Sequence, residues 1–221
     1  MRRGTERVRV TKNSANHSNG MGAIVIESPS GLPVYLESFS RVLAQTEVTR
    51  DDGEPIPLRE GAELAVNMLR GASNGQATPA HKVLLIGNGG SAALASHAHN
   101  DLCKCAGLRA MVFNETPLLT ALANDIAYAA AFEKQVELWG EPGDALLAIS
   151  SSGKSESILR PAQLCVTRGC GVVTFTGFSP NNPLRQLGHV NFWVPSESYG
   201  YVEMAHGILL HYLSDRLAGF C

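Results

Sequence analysis

Five short apolar runs, separated largely by helical patterns, constrain the fold of this chain more than any other feature it carries. They are Val83-Leu84-Leu85-Ile86, Ala110-Met111-Val112-Phe113, Ala145-Leu146-Leu147-Ala148-Ile149, Gly171-Val172-Val173-Thr174-Phe175 and Val190-Asn191-Phe192-Trp193-Val194. Short runs bounded by Gly- and Ser-rich turns read as strands buried on both faces. Helical stretches run from Ser91 to Ala106, from about Pro117, from Ala127 to Trp139, from Ser155 to Arg168, and from Tyr199 to Leu217. This order predicts an α/β fold: a mostly parallel, five-stranded sheet flanked by helices, with right-handed crossovers. In such sheets ligands bind beyond the carboxyl ends of the strands.

Upstream of the first run, Tyr35, Leu36, Phe39, Val42 and Leu43 recur at helical spacing, as do Leu58, Ala62, Ala65, Met68 and Leu69. The polar break Asp51-Asp52-Gly53-Glu54-Pro55 separates these two helices, which are expected to pair against the rest of the domain or against another subunit. Gly71 to Pro79 reads as a loop. Residues 1–32 are polar and lack periodicity, so they read as a disordered extension, leaving 33–221 as the domain.

Composition serves mainly to exclude. The 221 residues carry a formal net charge of −2 and no strongly basic block, which argues against a general nucleic-acid binder. No apolar run approaches the roughly 18 residues that span a bilayer, and the N-terminus has no apolar signal core. The expectation is a cytoplasmic protein with no membrane partner. The five cysteines (Cys103, Cys105, Cys165, Cys170, Cys221) have neither disulfide-framework nor zinc-finger spacing and read as free thiols.

Two turns at strand ends carry the chemistry. Gly87-Asn88-Gly89-Gly90-Ser91 follows the first run, and Ser150-Ser151-Ser152-Gly153-Lys154-Ser155 follows the third. Glycines let a backbone approach a ligand closely, and the helix after each turn aims free N–H groups at an anion. Four hydroxyls around one glycine suit a phosphate monoester. The glycine turn is not GxGxxG and lacks the Gly-Lys-Ser/Thr ending of a nucleotide loop. Alone, each is also an ordinary capped turn; two at corresponding places in one sheet favour the ligand.

These motifs, with the paired N-terminal helices, resemble the sugar isomerase (SIS) domain, and more closely the phosphoheptose isomerases, from about Pro33 to the C-terminus. The resemblance implies a three-layer SIS sandwich and conversion of sedoheptulose 7-phosphate to D-glycero-D-manno-heptose 7-phosphate through an enediol. It implies that Ser150, Ser151, Ser152 and Ser155 hold the phosphate, that Asn88, Gly89, Gly90 and Ser91 line the same cavity, and that Asn124-Asp125 contacts the sugar chain. It further implies a homotetramer with active sites at subunit interfaces, and one Zn²⁺ per site.

His97 and Asp101, four residues apart, share one helical face, which alone fits an ordinary hydrogen-bonded pair. By resemblance they join Glu203 and His211 as N and O ligands of the metal, with Asp101 as base and His211 as the opposing acid/base; Glu203 is also expected to touch substrate. The family typically has glutamate where this chain has Asp101 and glutamine where it has Glu203. Shortening the base by a methylene matters, since a displacement of about 1 Å can cost about 10²-fold in rate. Eight helical residues also rise about 12 Å, so Glu203 and His211 cannot easily reach one ion from one regular helix. Either Glu203 precedes the helix, or the two serve different sites across a subunit boundary. The alternative to an isomerase is a non-catalytic sugar-phosphate-binding regulator, of the kind that binds the replication initiator.

The remaining conspicuous residues read plainly. His206 is a local partner for Glu203, and Asp144 a loop residue. Arg160 and Arg168 fall on a solvated helix face, and His99, Asn100 and Lys104 at a surface or subunit contact. Trp139 and Trp193 are core or interface aromatics.

Overall fold

A computed structural model describes residues 31–71 and 81–221. Residues 1–30 of the expected N-terminal extension and 72–80 of the loop after Gly71 lie outside the described residues, and Leu32 already belongs to the first helix. All five expected strands form, as β3 (Val83–Gly87), β4 (Ala110–Val112), β5 (Ala145–Ser150), β6 (Gly171–Thr176) and β7 (Val190–Trp193). They pair in parallel, in the order β4-β3-β5-β6-β7. Two further strands, β1 (Glu47–Arg50) and β2 (Pro55–Ile56), extend the sheet to seven by adding antiparallel to β7. The polar break read between the two N-terminal helices is therefore the turn of an edge hairpin. Its strands are too short and polar to signal themselves, and β7 supplies the pairing.

Alternate residues of the central strands face opposite layers, which is why their runs are apolar throughout. Val83, Leu85, Leu147, Ile149, Val173 and Phe175 pack with α2 (Leu58–Gly71), α3 (Gly90–Lys104) and α7 (Tyr199–Ala218). Leu84, Ile86, Leu146, Ala148 and Val172 face α5 (Ala131–Trp139) and α6 (Glu156–Thr167) on the other side. Leu84 and Leu146 are wholly buried, and each such side chain stabilises the fold by about 1.5–3 kcal/mol. The N-terminal helices do not stack on one another as a hairpin in sequence order. Helix α1 (Leu32–Ala44) lays Phe39 and Val42 on Tyr201, Val202 and Ala205 of α7, whereas α2 joins the sheet-facing core. Helix α4 (Thr116–Asp125) and a 3-10 turn at Tyr128–Ala130 complete the connection from β4 to α5.

Two residues read as peripheral tie the scaffold together at the end of the sheet away from the turns. Asp144 is buried; its carboxylate accepts from the Lys82 backbone N–H at 2.9 Å, the Lys82 ammonium at 2.8 Å and the Glu141 N–H at 2.8 Å. It thereby fastens the start of β3 to the start of β5. Arg168 is not on a solvated face: its Nη1 donates to the carbonyls of Val136, Glu137 and Gly140, satisfying the carboxyl end of α5. Arg160 lies near Glu133 and Glu156 at the surface, as read. All five cysteines are free; Cys165 and Cys170 are buried, the others exposed. Among the described residues no helix is long and apolar enough to cross a membrane.

Candidate active site at the carboxyl ends of β3 and β5

From β3 the chain passes to β4 on one side and returns to β5 on the other, so the sheet changes winding direction between β3 and β5. At such a switch point the two strand-end turns separate and leave a crevice. Gly87 is paired with Ile149, so the glycine turn and the serine turn leave the sheet side by side. The crevice between them is a cleft of about 120 Å³ lined by Asn88, Ser91, Ile149, Ser150, Ser151, Ser152, Ser155, Tyr199 and Glu203. Seven of these residues were legible as candidates in the sequence; Tyr199, at the start of α7, was not.

The cleft is built to receive an anion. Helices α3 and α6 begin at it, the first capped by Gly89 and the second by Ser155, with no side-chain capping bond at either. Their first N–H groups and positive dipole ends point to the same place. Gly89 (φ +53°) and Gly153 (φ +62°) make the two turns in the left-handed region that glycine favours. The Ser150 hydroxyl accepts from the Gly153 N–H at 3.2 Å, and the Ser152 hydroxyl from the Lys154 N–H at 3.3 Å. Ser151 is 5 % exposed and its buried hydroxyl has no hydrogen-bond partner among the described residues. A buried hydroxyl without a partner costs about 1–3 kcal/mol, a cost that a bound oxyanion removes.

Gly90 serves a different need. A Cβ placed there meets the Glu203 carboxylate oxygens at 2.5 Å, so only glycine allows this carboxylate to rest on the first turn of α3. Glu203 is half-buried and, among the described residues, makes no hydrogen bond or ion pair. It does not pair with His206. That imidazole is wholly buried, donates from Nε2 to the Thr176 carbonyl at 3.1 Å, and stacks edge-on against Phe175. Burial lowers the His206 pKa to about 4, against the opposing effect of the Thr176 bond.

A second group lies further along α3. The Asp101 carboxylate is 3.4 Å from His97 Nε2 and 3.5 Å from His211 Nδ1, and one donor atom from each of the three lies within 4.8 Å of the others. Both imidazoles are more than half exposed, and the carboxylate is 17 % exposed. Glu203 is absent from this group. It stands with His211 on the single helix α7, eight residues and about 12 Å earlier, so the option that it precedes the helix is removed. Asn124 and Asp125 end α4, exposed and bonded to one another at 2.8 Å, and do not line the cleft. A wider cleft of about 320 Å³ adjoins on the far side of Asn88, walled by Gly89, Ala92, Ser96, Asn114, Tyr128 and Phe132 among others. Nothing in the sequence around Tyr128 or Asn114 marks them as neighbours of the glycine turn; only the Tyr128 hydroxyl's bond to Asn88 and the Asn114 amide's bonds to Ala92 and Ser96 of α3 do so.

The comparisons with known proteins agree with this geometry. Residues 35–177 match the SIS domain family. A phosphoheptose isomerase of Thiobacillus denitrificans is 36 % identical over 182 residues, covering 79 % of this chain and 88 % of that one. Two solved phosphoheptose isomerases superpose with a TM-score of 0.70: that of Neisseria gonorrhoeae at 25 % identity, covering 84 % of this chain and 96 % of that one, and that of Francisella tularensis at 26 %, covering 83 % and 94 %. These relatives favour the isomerase over the regulatory alternative. A hydroxyl-lined cleft at two strand ends, the matching family and relatives of nearly equal length lead to one assignment: the chain belongs to the SIS-domain phosphoheptose isomerase family.

Proposed function

We propose that this chain isomerises sedoheptulose 7-phosphate to D-glycero-D-manno-heptose 7-phosphate, holding the substrate phosphate in the cleft between the two strand-end turns. The observation that carries this reading is the unpartnered, buried Ser151 hydroxyl beside two helix N-termini that lack a side-chain capping bond. Ser150, Ser152 and Ser155 add hydroxyls, and Asn88 and Ser91 line the same wall. Gly89 and Gly90 let the phosphate and the Glu203 carboxylate come close to the backbone. Asn124 and Asp125 contact the sugar chain in this reading, which requires α4 to shift or a substrate long enough to reach past Tyr128.

The reaction moves one proton between C1 and C2 and one between the two oxygens, through an enediol, with no net change in oxidation state. Asp101 is assigned as the base that takes the carbon-bound proton, and His211 as the acid/base opposite it. Groups of this kind contribute about 10²–10⁴-fold each. Two imidazole nitrogens and a carboxylate oxygen converging at His97, Asp101 and His211 fit a Zn²⁺ site. When bound, the ion would polarise the sugar carbonyl. Glu203 is left to the substrate side of the site.

Gly90 and Asp101 are eleven residues apart on α3, about 16 Å along the helix. The extended chain from a 7-phosphate to a C2 carbonyl spans only about 9 Å at ordinary bond lengths. A substrate anchored in one subunit's cleft therefore meets the acid/base cluster of a neighbouring subunit, consistent with a homotetramer whose active sites lie at its interfaces. Exposed Met204, Ile208 and Tyr212 form an apolar stripe beside His211 on α7, supporting burial of this face between subunits. The protein is assigned to the cytoplasm, with sugar phosphate as its partner and neither nucleic acid nor membrane.

The test is turnover. Purified protein supplied with Zn²⁺ converts sedoheptulose 7-phosphate to the aldose, and metal analysis returns about one ion per chain. Absence of conversion with metal present ends the isomerase reading.

A further inference from the structure

Tyr128 begins the 3-10 turn between α4 and α5, with half its surface exposed. Its phenol hydroxyl donates to Asn88 Oδ1 at 2.6 Å, forty residues away in sequence. On the other side, Asn88 Nδ2 donates to Ser157 Oγ at 3.0 Å, and Ser157 is buried in the first turn of α6. The two distances distinguish the ends of the amide. A hydroxyl on a carbonyl oxygen sits near 2.7 Å, whereas an amide N–H on oxygen sits near 2.9–3.0 Å. Asn88 has one acceptor oxygen and two N–H donors. With the oxygen held by Tyr128 and one N–H held by Ser157, the second N–H is the free donor, and Asn88 lines the serine cleft.

We propose that Tyr128 is a positioning residue: its hydroxyl fixes the Asn88 amide so that an N–H, and not the carbonyl oxygen, faces the bound phosphate. This rests on the serine cleft being the phosphate site. Asn88 belongs to both the serine cleft and the wider cleft walled by Tyr128, so the phenol acts on the site from outside it. Without the hydroxyl, the amide turns about its last torsion with little preference, and the orientation that presents oxygen to an anion is repulsive. Loss of one donor to a charged group corresponds to about tenfold in affinity.

Tyr128→Phe removes only the hydroxyl and tests this in the full-length protein. Steady-state kinetics with sedoheptulose 7-phosphate are expected to show KM raised about tenfold with kcat within about twofold, and calorimetric affinity for inorganic phosphate weakened to match. Asn88→Ala is expected to weaken phosphate binding similarly, and the double variant to be no weaker than Asn88→Ala alone, as for residues acting in series. Additive losses overturn the proposal, as does a Tyr128→Phe protein with unaltered KM and phosphate affinity. A purely structural role would lower the melting temperature without this KM-against-kcat split, and also overturns it. The phosphate titration needs no turnover: an inactive wild-type protein ends the isomerase reading, while the titration still decides the role of Tyr128.

Discussion

The serine cleft and the His97–Asp101–His211 cluster are built in opposite ways. The cleft is made of backbone and short hydroxyls, with Ser91, Ser150 and Ser151 buried, and its shape is imposed by β3 and β5. The cluster is made of side chains on two packed helices, with both imidazoles more than half exposed. A phosphate keeps its charge throughout the reaction, so a rigid ring of donors suffices for it. Proton transfer needs groups that change charge, and these are useful only where water is excluded at the moment of reaction. The cleft is lined by residues of one chain, whereas the cluster is open on one side. In the proposed reading the difference makes binding and chemistry separable in this fold, so that variants can address each alone.

The largest effect expected is at the cluster. Asp101→Ala or His211→Ala should lower kcat by about 10²–10⁴-fold while calorimetric phosphate affinity stays unchanged; a parallel loss of phosphate affinity would break the separation. Next is the cleft. Ser151→Ala should raise KM about 10–100-fold, as for a hydrogen bond to a charged group worth about 1.5–3 kcal/mol, with kcat little altered.

Two further variants show what belongs to neither region. Asp144→Ala leaves the buried Lys82 ammonium without its closest partner and should destabilise the fold by about 3 kcal/mol, seen as a lower denaturation midpoint, with turnover per folded molecule unchanged. The last effect, a loss of stability, is conditional on pH and vanishes near neutrality. Burial gives His206 a folded pKa of about 4, below the 6.5 of a free imidazole. The unfolded chain therefore binds more protons between these values, so the contribution is fully present above about pH 6.5 and is lost progressively as pH falls towards 4. At about 1.4 kcal/mol per pH unit, it approaches about 3 kcal/mol at the acid end, and His206→Gln should flatten the stability-versus-pH curve over that window.

Much of this was legible in the sequence where local chemistry decides structure. The five parallel strands follow from continuous apolar runs, and the cleft from small residues at two strand ends. What was not legible depends on tertiary pairing. Glu47–Arg50 becomes a strand only because β7 offers an open edge. His206 lies three residues from Glu203, yet burial turns its ring to the Thr176 carbonyl. Arg168 looks like a surface cation, but the end of α5 presents it three carbonyls. The expected foursome of His97, Asp101, Glu203 and His211 separates into three and one because α7 is a single unbroken helix. Tyr128 had no local signature at all, since its partner is forty residues away.

The central claim, that one chain carries a binding half and a chemical half of different active sites, is tested most directly by mixing variants impaired in one half each, at substrate far below the KM of the binding variant. A protein carrying Ser151→Ala and Ser155→Ala is co-refolded with one carrying His211→Ala, and turnover of sedoheptulose 7-phosphate is followed by NMR. Shared sites predict that at this low substrate concentration the mixture turns over faster than the two parents together, because some interfaces then combine an intact cleft with an intact cluster. A mixture that forms mixed oligomers by native mass spectrometry and yet turns over no faster than the two parents together contradicts the account.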